Sequence, residues 1–303
     1  MTGLLPEGLR DRLPGEAEAQ GARTRALLDA ITAAGFARVA PPLAEYEEEL
    51  AVRLKGARTD LARFVDPVSQ RTLAIRSDFT PQIARIASTR LADAARPLKL
   101  GYAGPVLKLG TGRLGTGREA VQVGAELIGD DGVEAAIALV ETALAALVAA
   151  GVGEVTVDLT LPDLVETLLP SEPNAARLNQ LLDLKDAGGL RAEGYGAWLP
   201  LLGCMGPAMP ALVALAGFDR TGKLGSRIDG LSRIAEALAG RARVTLDPTE
   251  RHGFEYQSWF GFSLFVPGAR DAIGRGGSYA IAHPDGRLEP AIGFSIYPDA
   301  LDA

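Results

Sequence analysis

The sequence predicts an α+β fold, a mixed and largely antiparallel sheet flanked by helices and carrying a helical insertion. Three observations point there. Two strand-like runs, 98–109 and Glu119–Ile128, are linked by a short loop, the arrangement of an antiparallel hairpin and not of a crossover. Helical patterns gather outside that hairpin instead of alternating with strands. Between about 162 and 242 the pattern is helical with many Gly and Pro interruptions, and strand character returns afterwards. That segment reads as an insertion between two parts of one sheet, within a single domain spanning 1–303.

The elements follow in order. Residues 14–34 form a helix by the spacing of Leu27, Leu28 and Ile31, with Gly35 as its stop. Residues 36–43 (FARVAPPL) are extended and broken by Pro41 and Pro42, and the charged run 45–55 is helical. Thr72–Ile75 is a short strand. Thr80 followed by Pro81 reads as an N-cap hydroxyl and a first-turn proline, opening a helix that continues through Ile83, Ile86 and Leu91. After the hairpin come an Ala/Leu-rich helix at 132–150, a strand at 153–159, the helical region, and strands at Arg243–Leu246, 252–266 and 291–296.

Composition narrows the function. The 303 residues are 47% hydrophobic and 23% charged, ordinary for a soluble globular chain, and the net charge is −7. That balance supplies no general basic surface, so nucleic-acid binding is not expected. One cysteine, Cys204, excludes an internal disulfide and a Cys-based zinc site; two histidines, His252 and His283, exclude a His-rich one. The first residues, MTGLLPEGLRDRLPGE, lack a basic start followed by an apolar run, so no signal peptide is expected. The uncharged stretch 194–218 is interrupted by Pro200, Pro207 and Pro210, and its proline-free part, 211–218, is far short of the roughly 20 residues a span needs. A pair of short buried helices, no membrane association and a cytoplasmic location are the expectations.

Polar alternation marks where chemistry sits. In EAVQVGAELI the residues Val121, Val123, Ala125 and Leu127 share one face of a strand, and Gln122, Gly124 and Glu126 the other. A solvent-facing strand would alternate in the same way. Gly124, however, removes bulk between an amide and a carboxylate, which suits a ligand lying against the sheet. Arg76, Asp78 and Thr80 alternate just before the helix start, where a capping cluster with a surface Arg–Asp pair is the plain alternative. A third polar strand, HGFEYQSWFGFSLF, places His252, Phe254, Tyr256 and Ser258 on one face. Three near-motifs carry no chemistry. Gly110-Thr-Gly112-Arg-Leu-Gly115 fits a dinucleotide pattern but leads into a strand where a helix is required. Gly276-Gly-Ser278-Tyr-Ala280 lacks the last glycine and the strand–turn–helix setting of a nucleophile elbow. His283 falls in a Pro/Asp/Gly turn, where a surface position is expected.

The order of these segments resembles the class II aminoacyl-tRNA synthetase core, specifically histidyl-tRNA synthetase, over nearly the whole length. Leu5-Pro6-x-Gly8-x-x-Asp11-x-x-Pro14 looks like the synthetase N-terminus, and Gly35-Phe36 through Pro42 and Glu45 is similar to the dimer-forming motif 1. LAIRSDFT resembles the segment whose acid and threonine bind the amino group of histidine, which would be Asp78 and Thr80. Tyr102-x-Gly104-Pro105-Val106-x-Lys108, the tandem LGTGR loop and Gln122-x-Gly124-x-Glu126 look like motif 2. Gly276-Gly277-x-Tyr279 and Ala291-Ile-Gly-Phe-Ser-Ile296 resemble the end of the domain, including motif 3.

Departures from that family's pattern turn the expectation away from catalysis. Adenylate formation relies on cations preorganised at a reacting phosphate. Lys108 stands where motif 2 has arginine, and Gly110 where it has an acid two residues on. His252 stands at the family's catalytic arginine, with Arg251 adjacent, and Ala300 at the motif 3 arginine. Lysine does not replace a bidentate guanidinium, and alanine supplies nothing. The chain stops at Ala303, so no anticodon-binding domain is expected. The amino-acid pocket persists: Asp78, Thr80, Gln122, Glu126 and Tyr256. This combination resembles the regulatory subunits of short-form ATP phosphoribosyltransferase, synthetase paralogues of histidine biosynthesis. The resemblance implies a non-catalytic protein without cofactor that binds L-histidine, joins and activates a short catalytic subunit, transmits feedback inhibition, and forms a homodimer within a hetero-octamer. Asp78, Thr80 and Gln122 would hold the ligand's ammonium end, Glu126 and Tyr256 its imidazole, and Lys108, Arg251 or His252 its carboxylate. Two other classes stay open: a residual amino-acid-activating enzyme, and a synthetase-like tRNA-binding or sensor protein.

Overall fold

The computed structural model describes residues 5–52, 61–109, 117–251 and 257–302. In chain order the elements are α1 (Glu16–Ala33), β1 (Ala37–Arg38), β2 (Ala44–Tyr46), α2 (Glu47–Val52), β3 (Ala62–Val65), β4 (Thr72–Ile75), α3 (Thr80–Ser88), β5 (Leu98–Leu107) and β6 (Glu119–Ile128). There follow α4 (Val133–Ala149), β7 (Thr156–Thr160), α5 (Leu164–Leu168), α6 (Ala175–Asp183), α7 (Ala187–Ala192), β8 (Gly206–Pro207), α8 (Ala208–Phe218) and α9 (Gly225–Ala237). The chain closes with β9 (Arg243–Leu246), β10 (Gln257–Phe265), β11 (Gly274–Ala282), β12 (Leu288–Ile296) and a 3-10 turn at Pro298–Asp302.

A nine-stranded sheet runs in the order β1-β5-β6-β12-β11-β10-β7-β9-β8. From β5 to β7 every neighbouring pair is antiparallel; β1 with β5 and β7 with β9 are parallel. A small sheet, β2-β4-β3, stands apart from it. The β5–β6 hairpin pairs without a break from Leu98 opposite Ile128 to Leu107 opposite Glu119. That register decides which side chains meet, because a shift of one residue would exchange the two faces.

The sheet is covered on both faces. Helix α1 packs Leu27, Leu28 and Ile31 beside α4, whose buried side chains include Leu139, Val140, Leu144 and Leu147. These meet Val123, Ala125 and Leu127 of β6 and Ile292, Phe294 and Ile296 of β12 in the larger core. The opposite face carries a smaller core of Leu100, Tyr102, Ala120, Ile128, Tyr279, Ile281 and Ala291 under Phe79, Ile83, Ala84 and Ala87. Antiparallel sheets often leave one side to water. Here α3 seals part of that second side, and Gln122 and Glu126 of β6 are buried beneath it.

Several expectations change in detail. Thr80 is the first residue of α3 and Pro81 follows it, while Phe79 occupies the cap position. The Thr80 hydroxyl is turned away from capping and donates to Glu126 at 3.0 Å. The run 45–55 begins as strand β2 before α2, because Ala44–Tyr46 pairs with β4. Arg76 forms no surface pair with Asp78; it is buried and donates to the carbonyls of Pro41, Pro42 and Pro105 at 3.1, 3.2 and 2.8 Å. Segment 274–282 is a full strand whose glycines masked its strand character, and 288–290 extend β12. His283, expected at the surface, is buried, with Nε2 2.7 Å from Glu289, which also accepts from Arg96. The tandem LGTGR loop lies mostly outside the described residues. Cys204 is buried and free, and no helix among the described residues is long and apolar enough to cross a membrane.

Candidate functional site

The site begins with a buried clamp. Arg76 ties the end of β4 to β5 and to the 41–42 turn, and its guanidinium lies 3.8 Å over the Phe79 ring. Phe79 stacks on Tyr102 of β5 with centroids 4.6 Å apart. Gln82 extends the clamp, donating to Pro42 at 2.7 Å and Glu45 at 2.9 Å, and Arg85 makes a two-pronged contact with the same Glu45 at 2.7 and 2.5 Å. Such forked pairing fixes direction as well as distance. Asp78 and Thr80 are thereby held over the β6 face.

Two polar centres sit on that face. Gln122 accepts from the Phe79 backbone N–H at 3.1 Å and donates to Asp78 Oδ1 at 2.7 Å and to Ser295 Oγ at 2.5 Å. Asp78 also accepts the Thr80 backbone N–H at 3.1 Å. Glu126 is the second centre, 1% exposed. Its Oε1 accepts from Thr80 at 3.0 Å and Tyr102 at 3.1 Å, and its Oε2 from Tyr279 at 2.8 Å. Burial pushes the Glu126 carboxyl up to about 8, and the charge of Asp78 adds to the rise, while the three hydroxyls pull it back. Burial also drives Tyr102 well above the ordinary phenol range, with Glu126 and then Asp78 reinforcing it.

Once ionised, the Glu126 carboxyl has about four acceptor positions. Three hydroxyls use three of them, which leaves Oε2 one for a donor arriving from the cleft. That cleft is partly open to solvent and is lined by Asp78, Thr80, Glu126, Arg275, Tyr279 and Tyr297 with the bare backbone of Gly276, Gly277 and Gly293. An ammonium group at Asp78 and a ring N–H at Glu126 match the acceptors on offer.

Asp78, Thr80, Gln122 and Glu126 are brought together by the fold. Lys108 reaches the same region: its Nζ is 3.4 Å from the Tyr297 hydroxyl and 4.5 Å from that ring's centre. Burial lowers its ammonium to about 8, against the attraction of Asp78 and together with the repulsion of Arg275. Arg251 is placed elsewhere. Its backbone N–H donates to Asp183 at 3.0 Å and its guanidinium to Glu166 at 3.4 Å, both on the α5–α6 side. Tyr256 and His252 lie outside the described residues. Ala300 packs between the two cores as an apolar contact.

Sequence reasoning did not give site roles to Tyr102, Tyr279, Ser295, Arg275 and Tyr297, although Tyr102 and Tyr279 mark the resemblance. The available signal was glycine. A Cβ on Gly293 would stand 1.5 Å from Glu126 Oε2, and one on Gly124 would stand 2.4 Å from the Tyr102 hydroxyl. The space at Gly124 is thus filled by the protein's own tyrosine and not by a ligand, which corrects the reason given for that glycine.

Comparison with known proteins agrees with this architecture. The family model described as histidyl-tRNA synthetase matches residues 8–301. An ATP phosphoribosyltransferase regulatory subunit of Rhodospirillum rubrum is 41% identical over 312 residues, covering 98% of this chain and 80% of that one. The crystal structure of an ATP phosphoribosyltransferase regulatory subunit/histidyl-tRNA synthetase from Bacillus halodurans superposes with a TM-score of 0.85 at 25% identity, covering 99% of this chain and 83% of that one. A chain of the ATP phosphoribosyl transferase (HisG:HisZ) complex from Thermotoga maritima shares the fold, with a TM-score of 0.70 at 16% identity over 92% of this chain and 97% of that one. The cleft built on β6 and the run of 36 to 41% identity to such subunits have one reading: the chain belongs to the histidyl-tRNA synthetase family, in its branch of ATP phosphoribosyltransferase regulatory subunits.

Proposed function

We propose that this protein is the regulatory, non-catalytic subunit of a short-form ATP phosphoribosyltransferase. It binds free L-histidine in the cleft over β6, joins the catalytic subunit as a homodimer within a hetero-octamer in the cytoplasm, activates it, and relays feedback inhibition. The observation that carries the reading is the pairing of Asp78 with Gln122 and of Thr80 with the buried Glu126 on one face of β6, while Lys108 and Ala300 stand at positions where the synthetase pattern has arginines. The groups suited to an ammonium and an imidazole persist, while the strong cations that nucleotide chemistry needs are replaced. The relatives' own name supports the partner, as does the complex to which a fold neighbour belongs.

A pocket of oriented polar groups rejects ligands that leave them unpaired, so selectivity needs no catalysis. Feedback requires that histidine bind two states of the assembly unequally, since equal affinity shifts nothing. The test is copurification with a short catalytic subunit, followed by phosphoribosyl transfer with and without histidine. Activation on mixing, and inhibition by histidine that is weakened roughly tenfold or more in Asp78→Ala and Glu126→Gln, are expected. Robust histidine-dependent pyrophosphate exchange by the isolated chain would overturn the non-catalytic reading. A tRNA shift at moderate salt would favour the tRNA-binding one.

A further inference from the structure

The cleft has a polarity that its acids alone do not explain. Alternation along β11 places Arg275, Gly277 and Tyr279 on one face, in register with Ser295, Gly293 and Ala291 of β12. Tyr279 points at Glu126, and Arg275 lines the same cleft at the other end of the glycine step. Lys108 stands over Tyr297, close enough to Arg275 that the two cations repel and close enough to Asp78 to be attracted. The cleft is therefore lined by a guanidinium as well as by the carboxyl groups of Asp78 and Glu126, with Lys108 nearby. An α-amino acid carries the complementary pattern.

Three groups were candidates for its carboxylate on sequence grounds. Arg251 lies on the α5–α6 side, where its guanidinium meets Glu166 at 3.4 Å, and His252 lies outside the described residues. Lys108 is in place, but burial brings its ammonium to about 8, so part of it is neutral in mildly alkaline solution. A guanidinium stays charged throughout and offers two parallel donors to a planar carboxylate. We propose that Arg275, with Lys108 beside it, is the specificity-determining cation of the cleft, receiving the carboxylate of the amino acid whose ammonium meets Asp78. The inference rests on the histidine reading above and names the residue by which a free amino acid is told from an amine with the same ring.

The experiment is calorimetric titration of the full chain with L-histidine and with histamine, which keeps the ring and the ammonium but lacks the carboxylate. Wild type, Arg275→Met and Arg275→Lys are compared. Wild type is expected to prefer histidine by roughly 30-fold or more, on the scale of a charge-assisted pair. In Arg275→Met that preference falls to within about threefold, while histamine affinity changes little and so reports an intact cleft. Arg275→Lys, which keeps the charge and the stem, lies between. An undiminished histidine-to-histamine ratio in both variants overturns the role of Arg275 and leaves the histidine reading standing. A wild-type protein that binds neither compound overturns both.

Discussion

At the scale of single residues, Glu126 governs the site. Its carboxyl is held at about 8 by burial, against roughly 4.5 in the open chain. Between those values the folded protein binds a proton that the unfolded one has lost, so its contribution makes stability fall as pH rises from about 4.5 to 8. Lys108 acts above that window: with its folded value lowered to about 8 from 10.5, its contribution to stability rises as pH increases between them. Glu126→Gln keeps an acceptor for the hydroxyls and removes the titration. Urea unfolding at pH 5 and pH 8 should show this variant gaining about 1–3 kcal/mol on wild type across the interval; parallel profiles would contradict the burial argument. Asp78, Thr80, Gln122 and Glu126 were marked by alternation within two short segments and given roles by the resemblance, and both signals are written along the chain. Tyr279, Ser295 and Arg275 reach the cleft from other strands, and no local rule states the register that brings them there.

At the scale of elements, glycine is what lets the strands carry this site. Strand β11 escaped notice because GRGGSYAIA lacks the bulk that marks a strand. A missing side chain makes room for a neighbour: a Cβ on Gly276 would stand 2.5 Å from Phe262, and on β12 Gly293 makes room for Glu126. Gly293→Ala should therefore destabilise by about 2–4 kcal/mol, measured by chemical denaturation. Adding Glu126→Ala should recover about half of that loss, because the clash is with that carboxylate and not with backbone; simple additivity of the two changes would sink the account. The helix α3 start taught a related lesson. Thr80 and Pro81 rightly marked a helix beginning, but a buried acceptor 3.0 Å away drew the hydroxyl inward, and tertiary packing overrode the capping preference.

For the whole molecule, Asp299 joins segments far apart in sequence. Its Oδ1 accepts from Arg12 at 3.1 and 2.7 Å and from Gln20 of α1, and its Oδ2 from the Val121 backbone N–H of β6 at 2.8 Å. Both ends of the described chain are thus tied to the strand that carries Gln122 and Glu126. Asp299→Ala leaves Arg12 and an amide without their acceptor, and should cost about 2–4 kcal/mol. Hydrogen exchange should show the loss of protection at β6 as well as at 12–20; a change confined to the termini would contradict a link to the site.

The sequence by itself determined the α+β class, the hairpin of β5 and β6, and the two faces of β6. It also determined the family, because hydrophobic periodicity and motif order are written along the chain. Tertiary structure alone decided that Arg76 is a buried clamp, that Arg251 serves the α5–α6 side, and that Tyr102, Tyr279 and Arg275 converge on the cleft. The physical reason is that strand pairing joins residues more than a hundred positions apart. Which of their side chains share a face is fixed by a register that only the assembled sheet selects.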